Sequence, residues 1–323
     1  MRISPERLAA EAEATGFRPD VLEKVARLLG LLQAIQSHPF LKGKLVLKGG
    51  TALNLFIFEI PRLSVDIDLN YVGSGSREDM LAQRPKIEQA LRAVFSREGF
   101  IVRRMPEEHA GGKWLLRYES VFGRGGNLEV DLNFMLRLPL WPVTTLDSHP
   151  IRGWRATGIP LLDLHELAAG KLAALLSRGQ ARDLFDSHRI LGLKDLDPNR
   201  LRVGFVVYGA MGRKDWRTVS VDDVNLDSAD LARQLIPLIR FNAAGFRSES
   251  AQWGARLVRE CQERLSLVLP LTDSEQAFLD LLLDRGVIDP TILTTDVTLQ
   301  ERIQGQPLLQ WKAVNVRRHK GLS

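Results

Sequence analysis

The sequence predicts a mixed α/β (α+β) fold, in which a domain built on a mixed sheet precedes a mainly helical half. Residues 45–71 read as a strand, a glycine turn, a helix and a second strand, and residues 114–135 read as two strands joined by a glycine-rich hairpin loop. Beyond residue 193, several segments place apolar residues at helical spacing. We therefore expect one domain over residues 1–195 and a mainly helical domain over residues 196–323.

The composition of the chain is typical of a globular protein. Its 323 residues are 45% hydrophobic, which allows a sizeable core. The formal net charge of +5 is compatible with a nucleic-acid partner, although many proteins without such a partner are equally basic. Cys261 is the single cysteine, so no intramolecular disulfide and no cysteine-based zinc site can form. A reducing, cytoplasmic setting is therefore expected.

Membrane targeting is not indicated. The first residues include acidic side chains where a signal peptide would be apolar, and no stretch approaches the roughly 18 apolar residues of a membrane span. We expect no membrane partner. The oligomeric state stays open, with a monomer as the simpler expectation.

Capping residues and breakers mark the first helices. Ser4 and Pro5 form a cap and a first helical position, and Gly16 ends the helix that they open. Apolar stripes predict further helices over about 20–35 and 77–98.

A glycine turn follows the first predicted strand. The apolar run 45–47 stops at Gly49 and Gly50, and Thr51 opens a helical segment. Glycine lets a ligand approach the backbone closely, and the free amides at the start of a helix attract anions. The turn therefore predicts a phosphate-binding site, with an ordinary surface turn as the alternative.

Two carboxylates follow on the next strand. Val65, Ile67 and Leu69 point to one face, which places Asp66 and Asp68 together on the other. Like charges on one face repel, so the pair favours a bound cation, and magnesium is the expected one because it takes carboxylate oxygens, water and phosphates as ligands. Two solvated aspartates on an edge strand are the alternative.

The hairpin strands supply a third carboxylate. We expect strands at 100–103, 114–122 and 128–135, and Asp131 in the last of them alternates with apolar residues as Asp66 and Asp68 do. If this strand lies beside the Asp66 strand, the three carboxylates meet, as two-metal nucleotidyl transfer requires. An ordinary strand with an acidic outer face is an equally open interpretation.

A proline-rich connection leads to a second informative stretch. Residues 138–150 contain three prolines and read as irregular, and 151–156 as one more strand. Asp163 then caps a helix that holds Lys171, and the next helix contains three charged residues that share its first turns, Arg182, Asp183 and Asp186. A solvated lysine and a surface pair between Arg182 and Asp186 are the alternative.

These residues together resemble a known family. The run KGGTAL, followed by Arg62, Ser64, Asp66 and Asp68, is similar to the first motif of the AbiEii nucleotidyltransferases, which belong to the polymerase-beta-like superfamily and act as toxins of bacterial, type IV-like toxin-antitoxin pairs. A helical lysine followed by an Arg-Asp-x-x-Asp cluster is similar to the later motifs of that family. The resemblance covers roughly residues 48–191, and it rests only on helical character beyond them.

The resemblance implies a role for each matching residue. Catalysis would involve the acidic pair, the lysine and the last aspartate, namely Asp66, Asp68, Lys171 and Asp186. The nucleoside triphosphate (NTP) would be bound by Gly49, Gly50, Thr51, Arg62, Ser64, Lys171 and Arg182. Magnesium, as two ions, would be held by Asp66, Asp68 and Asp131.

The resemblance also implies an activity. Family members with these motifs add nucleotides to the 3′ end of tRNA, which blocks aminoacylation and arrests growth until a cognate antitoxin encoded nearby counters them. A small-molecule nucleotidyltransferase of the aminoglycoside-modifying kind and a non-catalytic NTP- and partner-binding protein are the alternatives.

The second half carries two basic segments that suit RNA. Helices are expected at 227–240, 248–265, 274–285 and 290–302, with 308–316 as a short helix or an extended tail. Arg213, Lys214 and Arg217 surround Trp216, and residues 317–320 end the chain with further basic side chains. Such patches suit a phosphate backbone and a stacked base, whereas a merely solvated basic segment is the alternative.

Overall fold

The computed structural model describes residues 3–106, 110–123, 125–240 and 250–321. Its packing divides the chain into two compact units. The first consists of Met1–Arg137, Val143–Leu162 and Ile236–Ala244, and the second of Leu138–Pro142, Asp163–Leu235 and Gly245–Ser323. These units are defined by contacts and do not coincide with the expected boundary at residue 195. The expected division into two independently folding domains stays a prediction.

A seven-stranded mixed sheet forms the centre of the first unit, with the order β3-β4-β5-β2-β1-β7-β6. The strands are β1 Leu45–Lys48, β2 Asp66–Tyr71, β3 Ile101–Arg104, β4 Gly111–Glu119, β5 Gly125–Asn133, β6 Thr144–Leu146 and β7 Ile159–Leu161. Two pairings, β2 with β5 and β1 with β7, are parallel, and the other four are antiparallel. The predicted mixed sheet is therefore confirmed.

Helices cover one face of this sheet. The first unit contains α1 Pro5–Thr15, α2 Pro19–Ser37, α3 Gly49–Ala52 with its π-helical continuation Leu53–Ile57, and α4 Arg77–Arg97. Ser4 caps α1 and Gly16 ends it in the left-handed conformation, as predicted. The ring of Phe95 on α4 packs edge-on against that of Trp114 on β4, with 5.5 Å between the ring centroids. Large aromatic side chains buried between helix and sheet contribute strongly to such a core.

The opposite face of β4, β5 and β2 is polar. Burial alternates along β5, where Leu128, Val130 and Leu132 are buried and the residues between them are half-exposed. Because successive side chains of a strand point to opposite faces, the half-exposed residues share the face that α2 and α4 leave uncovered. We call this the open face.

The predicted strand at 151–156 is wrong. Ile151 and Trp154 form only an isolated antiparallel bridge. The sheet is completed by β6 and β7, which the sequence did not reveal because each has three residues, too few for an alternating pattern, and because β7 contains Pro160.

The second unit is built from helices. They are α5 Leu164–Arg178, α6 Ala181–Ile190, α7 Pro198–Met211, α8 Ser228–Asp230, α9 Ser250–Arg264, α10 Asp273–Asp280, α11 Val297–Gln304 and α12 Pro307–Lys320, with short 3-10 and π-helical turns between them. A helix was expected at 227–240, but α8 is followed by a π-helical turn and by a 3-10 turn that contains Pro237. None of the described helices has the length and apolarity needed to cross a membrane.

α7 has no counterpart among the predicted helices. Its buried residues include Leu201, Phe205, Val206 and Val207, which lie around much of its circumference. A helix that is buried on several sides shows no single apolar stripe, so its sequence lacks the helical period.

Candidate functional site

The glycine turn and the acidic strand meet directly. Lys48, the last residue of β1, is in register with Asp68 on the antiparallel strand β2, so Gly49 lies beside the Asp68 side chain. Gly49 has a φ of 72°, and a Cβ atom at this position would overlap the Oδ2 atom of Asp68. Only glycine combines this backbone conformation with so close an approach. The glycine turn therefore lies directly against one of the two predicted carboxylates, Asp68.

Asp131 lies beside the same pair. β2 and β5 are parallel neighbours, with Asp68 in register with Asp131 and Asp66 in register with Glu129. Neighbouring strands lie about 4.8 Å apart, so these side chains are adjacent on the open face. All four of these residues are half-exposed. Asp131 therefore lies next to the Asp66 strand, as the three-carboxylate interpretation requires, and Glu129 adds a fourth carboxylate to this face.

Thr51 and Ser64 support the start of β2. The hydroxyl of Thr51 donates to the backbone carbonyl of Asp66, and its oxygen lies 3.0 Å from the hydroxyl oxygen of Ser64. Both side chains are buried. Their hydroxyls hold the turn against the first residue of the acidic strand, and their predicted contact with a nucleotide stays a prediction.

Arg62 is 2% exposed, and one of its guanidinium nitrogens donates to the carbonyl of Leu63. The next amide, that of Leu63, donates to the carbonyl of Leu238. A buried guanidinium with a backbone acceptor orders the loop that leads into β2. The structure therefore gives Arg62 a framework position, and its assignment to the nucleotide stays a prediction.

The donor set of this site suits magnesium. Magnesium is bound by one or two carboxylates and keeps its remaining positions for water and phosphate oxygens, and Asp68 with Asp131 offers such a pair next to Asp66. Within the described ranges, no group of three or more histidine, cysteine, aspartate or glutamate side chains is placed to hold a metal ion. An ion bound by this carboxylate pair would need further oxygen ligands from water or a substrate.

Lys171 and Asp186 belong to a buried cluster in the second unit. The ammonium of Lys171 lies 2.9 Å from Oδ1 of Asp183 and 3.1 Å from Oδ2 of Asp186, and Arg178 forms a second ion pair with Asp183 at 2.7 Å. Lys171 is 9% exposed and Asp186 is fully buried. The interpretation of these residues as a solvated lysine and a surface pair is therefore wrong.

Charge compensation sets the ionisation of this cluster. Burial tends to raise the pKa of Asp183, but the neighbouring Lys171 and Arg178 outweigh burial and hold the pKa below its usual value. Asp183 is thus an ionised carboxylate whose charge balances that of the buried Lys171 ammonium. Arg182 stands next to it at the start of α6, and its nucleotide contact stays a prediction.

The prediction that the first basic segment offers Trp216 for stacking on a base is wrong. Trp216 is 1% exposed and packs on Phe205, with 5.0 Å between their ring centroids, so it cannot stack on a base. Arg217 forms ion pairs with three aspartates, Asp215, Asp280 and Asp284. This segment is part of the protein's own framework. At the chain end, Lys320 pairs with Asp284 as well.

A glycine turn that lies against a two-aspartate strand, with a third aspartate in register on the neighbouring strand of a mixed sheet, defines a site of the nucleotidyltransferase class. Residues 30–278 match the family model described as nucleotidyl transferase AbiEii toxin, type IV TA system. The chain therefore belongs to the AbiEii family of nucleotidyltransferase toxins of toxin-antitoxin systems, and the resemblance seen in its motifs is confirmed.

Among solved structures, the fold is similar to that of MenT4, a nucleotidyltransferase toxin from Mycobacterium tuberculosis H37Rv. The TM-score is 0.63 at 18% sequence identity, and the match covers 96% of this chain and 99% of that one. The comparison with curated proteins found no match. The likeness to MenT4 confirms the predicted fold class, a nucleotidyltransferase fold with a mixed sheet and many helices.

Proposed function

We propose that this protein transfers a nucleoside monophosphate from an NTP to the 3′ end of tRNA, which blocks aminoacylation and growth. The observation that carries the proposal is the contact of Asp68 with Gly49, with Asp131 in register beside it. It places carboxylates next to a turn whose backbone a phosphate can approach. The transfer joins the acceptor hydroxyl oxygen to the α-phosphorus and releases pyrophosphate.

In this proposal Asp66, Asp68 and Asp131 hold magnesium, as two ions. Bound magnesium supplies charge that grips the triphosphate and lowers the pKa of the acceptor hydroxyl. The N-cap residue of α3, Lys48, makes no side-chain hydrogen bond to the first turn of the helix. Gly49, Gly50 and the other residues of the first motif, Thr51, Arg62 and Ser64, bind the NTP or hold the residues that do.

Lys171 and Arg182 are assigned to the triphosphate and Asp186 to the same catalytic set, on the strength of the family motif. The buried ion pairs of Lys171 fix the position of its ammonium group. A fixed cation stabilises the negative charge that grows on a leaving pyrophosphate without a further ordering cost.

The setting of the reaction is also a proposal. We place the protein in the cytoplasm, with an antitoxin encoded nearby as its partner, as the toxin-antitoxin family implies. Cys261 is buried, and burial raises the pKa of its thiol to about 12. A protonated, buried thiol is unreactive, which suits a chain without disulfides.

The test uses purified protein, total tRNA and each of the four labelled NTPs in turn, with magnesium present. We expect label at the tRNA 3′ end, lost in Asp68→Asn and kept in Glu98→Gln, which changes a carboxylate of an ion pair at the end of α4. Label on an aminoglycoside instead of tRNA would favour the small-molecule alternative. NTP binding without release of pyrophosphate would favour the non-catalytic one.

A further inference from the structure

The open face of the sheet changes charge from its centre to one edge. Rows of residues in register cross it from β2 through β5 to β4. In one row Asp68 is followed by Asp131 and then by Lys113, so two carboxylates give way to a cation. In a second row, Asn127 on β5 is in register with Arg117 on β4. The acidic centre is thus bordered by basic residues.

A β-bulge adds two arginines at this edge. β3 is the edge strand, and its register with β4 shifts between Val102 and Arg104, so that Arg103 and Arg104 stand opposite Leu115. Bulges at sheet edges commonly redirect side chains. Both arginines are exposed. Together with Lys113 and Arg117 they form a group of four cations that we call the basic strip.

Gly125 and a neighbouring cavity leave space around the arginines of the basic strip. The guanidinium of Arg117 lies over Gly125 on β5, where a Cβ atom would be 2.8 Å from its Nε atom. A cavity of about 600 Å³ next to it is lined by Arg103, Arg117 and Ile101, together with Arg27, Gly99, Tyr118 and Glu119. Within the described part of the chain, neither Arg103 nor Arg117 forms an ion pair. Both side chains are exposed, so an anionic partner can reach their guanidinium groups.

Lys113 links the strip to the carboxylates. Its ammonium donates to Oε2 of Glu129 at 2.9 Å, while its side chain is 64% exposed and that of Glu129 is 41% exposed. An ion pair this exposed stabilises the fold little, so a phosphate can take the place of Glu129 at little cost.

We propose that the basic strip binds the sugar-phosphate backbone of the acceptor RNA and leads its 3′ end across the open face to Asp68 and Asp131. This inference rests on the proposed function, since it assigns the acceptor's binding surface. Lys113 would contact the phosphate nearest the carboxylates, and the arginines would contact phosphates farther from the end.

Dimensions and charge favour an extended polyanion as the occupant. Lys113 and Arg117 are four residues apart, about 13 Å along β4, and β3 lies three strand spacings, about 14 Å, from β2. A single small phosphate would need only one end of such a strip. Cations at an exposed edge, spaced over this length, match the repeated charges of a nucleic-acid strand.

The test measures binding of fluorescent total tRNA by anisotropy, with EDTA and without NTP, so that no transfer occurs. We expect Arg103→Gln/Arg117→Gln to weaken tRNA binding about tenfold. The slope of the logarithm of the association constant against the logarithm of the salt concentration should become shallower by about 1.4, as the loss of two phosphate contacts with a single strand predicts. Lys113→Gln should weaken binding further when added. NTP binding, followed by equilibrium dialysis, should not change in the double variant.

Arg97→Gln is the matched control. Arg97 is 60% exposed and lies on α4, which packs on the covered face of the sheet. The Arg97→Gln protein should therefore bind tRNA as the wild type does. Equal losses per removed charge in Arg97→Gln and in the double variant would mean that only overall charge matters and would overturn the strip. So would unchanged binding in the double variant, or a wild-type protein that does not bind tRNA.

The transfer assay separates this inference from the proposed function. If the wild type labels tRNA and the double variant binds and labels it equally well, the strip is wrong while the function stands. If the wild type binds tRNA through the strip but transfers nothing to it, the strip stands and the assigned reaction is wrong.

Discussion

The ammonium of Lys171 lies 2.9 Å from the carboxylate of Asp183, and both side chains are buried. Removing one partner of a buried pair leaves an uncompensated charge, which costs about 3–5 kcal/mol. Lys171→Ala should therefore lower the free energy of unfolding in urea by about that amount, in addition to any loss of transfer. Lys171→Met/Asp186→Asn should recover part of it, because Asp183 keeps its ion pair with Arg178. If Lys171→Ala is as stable as the wild type, the buried pair does not contribute as argued.

Because Lys171 stabilises the fold, an inactive Lys171 variant has two possible explanations. Loss of transfer alone would not place Lys171 at the triphosphate, because unfolding gives the same result. Lys171→Arg keeps the positive charge near Asp183 and Asp186 but differs in shape and reach. A folded but inactive Lys171→Arg would support a direct role, whereas a folded and fully active one would favour a purely structural role.

Gly49→Ala should damage the site out of proportion to its effect on stability. The left-handed backbone at Gly49 costs a residue with a Cβ atom about 1–2 kcal/mol, and the added methyl group would displace the Asp68 carboxylate. Gly43 is the matched control, because it has a similar φ of 76° but no atom within 4 Å of its Cβ position. Urea unfolding should show similar losses in both variants. Only Gly49→Ala should lose nucleotidyl transfer, and equal transfer in the two would argue against the contact.

The pair of Gly49 and Asp68 shows what could be read from the sequence. Alternation over six residues places Asp66 and Asp68 on one face, and a glycine turn is visible in the letters themselves, so both features were predicted. The register between Asp68 and Asp131 joins residues far apart in the chain, and local patterns contain no information on such a pairing. The alternation in its strand and the likeness to the family suggested Asp131, and the fold supplied its place.

Charged and aromatic residues outside the first motif were harder to interpret. A lysine inside a helix looks the same in a sequence whether it is solvated or buried between carboxylates, and only tertiary packing separates the two cases for Lys171. Trp216, flanked by basic residues, suggested a stacking platform, yet it fills the core beside Phe205. The basic strip was missed because its members come from two strands and meet through sheet pairing.

The free energy of unfolding should fall as pH rises from 4.5 to about 7, because Glu166 ionises at different pH values in the unfolded and folded states. Burial raises the pKa of this carboxyl to about 7, against hydrogen bonds from the Leu140 amide and the Tyr208 hydroxyl that lower it. The folded state therefore holds a proton that the unfolded chain, with a pKa of 4.5, releases earlier. The resulting stabilisation is complete below pH 4.5 and is lost as pH approaches 7, by about 3 kcal/mol in total.

Glu166→Gln isolates this contribution because glutamine cannot ionise. Free energies of unfolding, measured in urea at several pH values between 4.5 and 8, should show a smaller decline with pH in the variant than in the wild type. At pH 8 the variant should be the more stable of the two. A parallel decline in both proteins would mean that Glu166 does not titrate in this range in the folded state.

Asp131→Asn tests whether the third aspartate belongs to the metal site. The substitution keeps the size of the side chain next to Asp68 but removes its charge, so it weakens the attraction for a divalent cation. We expect transfer to fall about 100-fold, the scale for losing one group that stabilises transition-state charge. The magnesium concentration for half-maximal transfer should also rise. Glu78→Gln, at an exposed position in the first turn of α4, serves as the control and should keep wild-type values. An Asp131→Asn protein with the wild-type magnesium dependence would leave Asp66 and Asp68 as the metal ligands and would assign Asp131 to the open face alone.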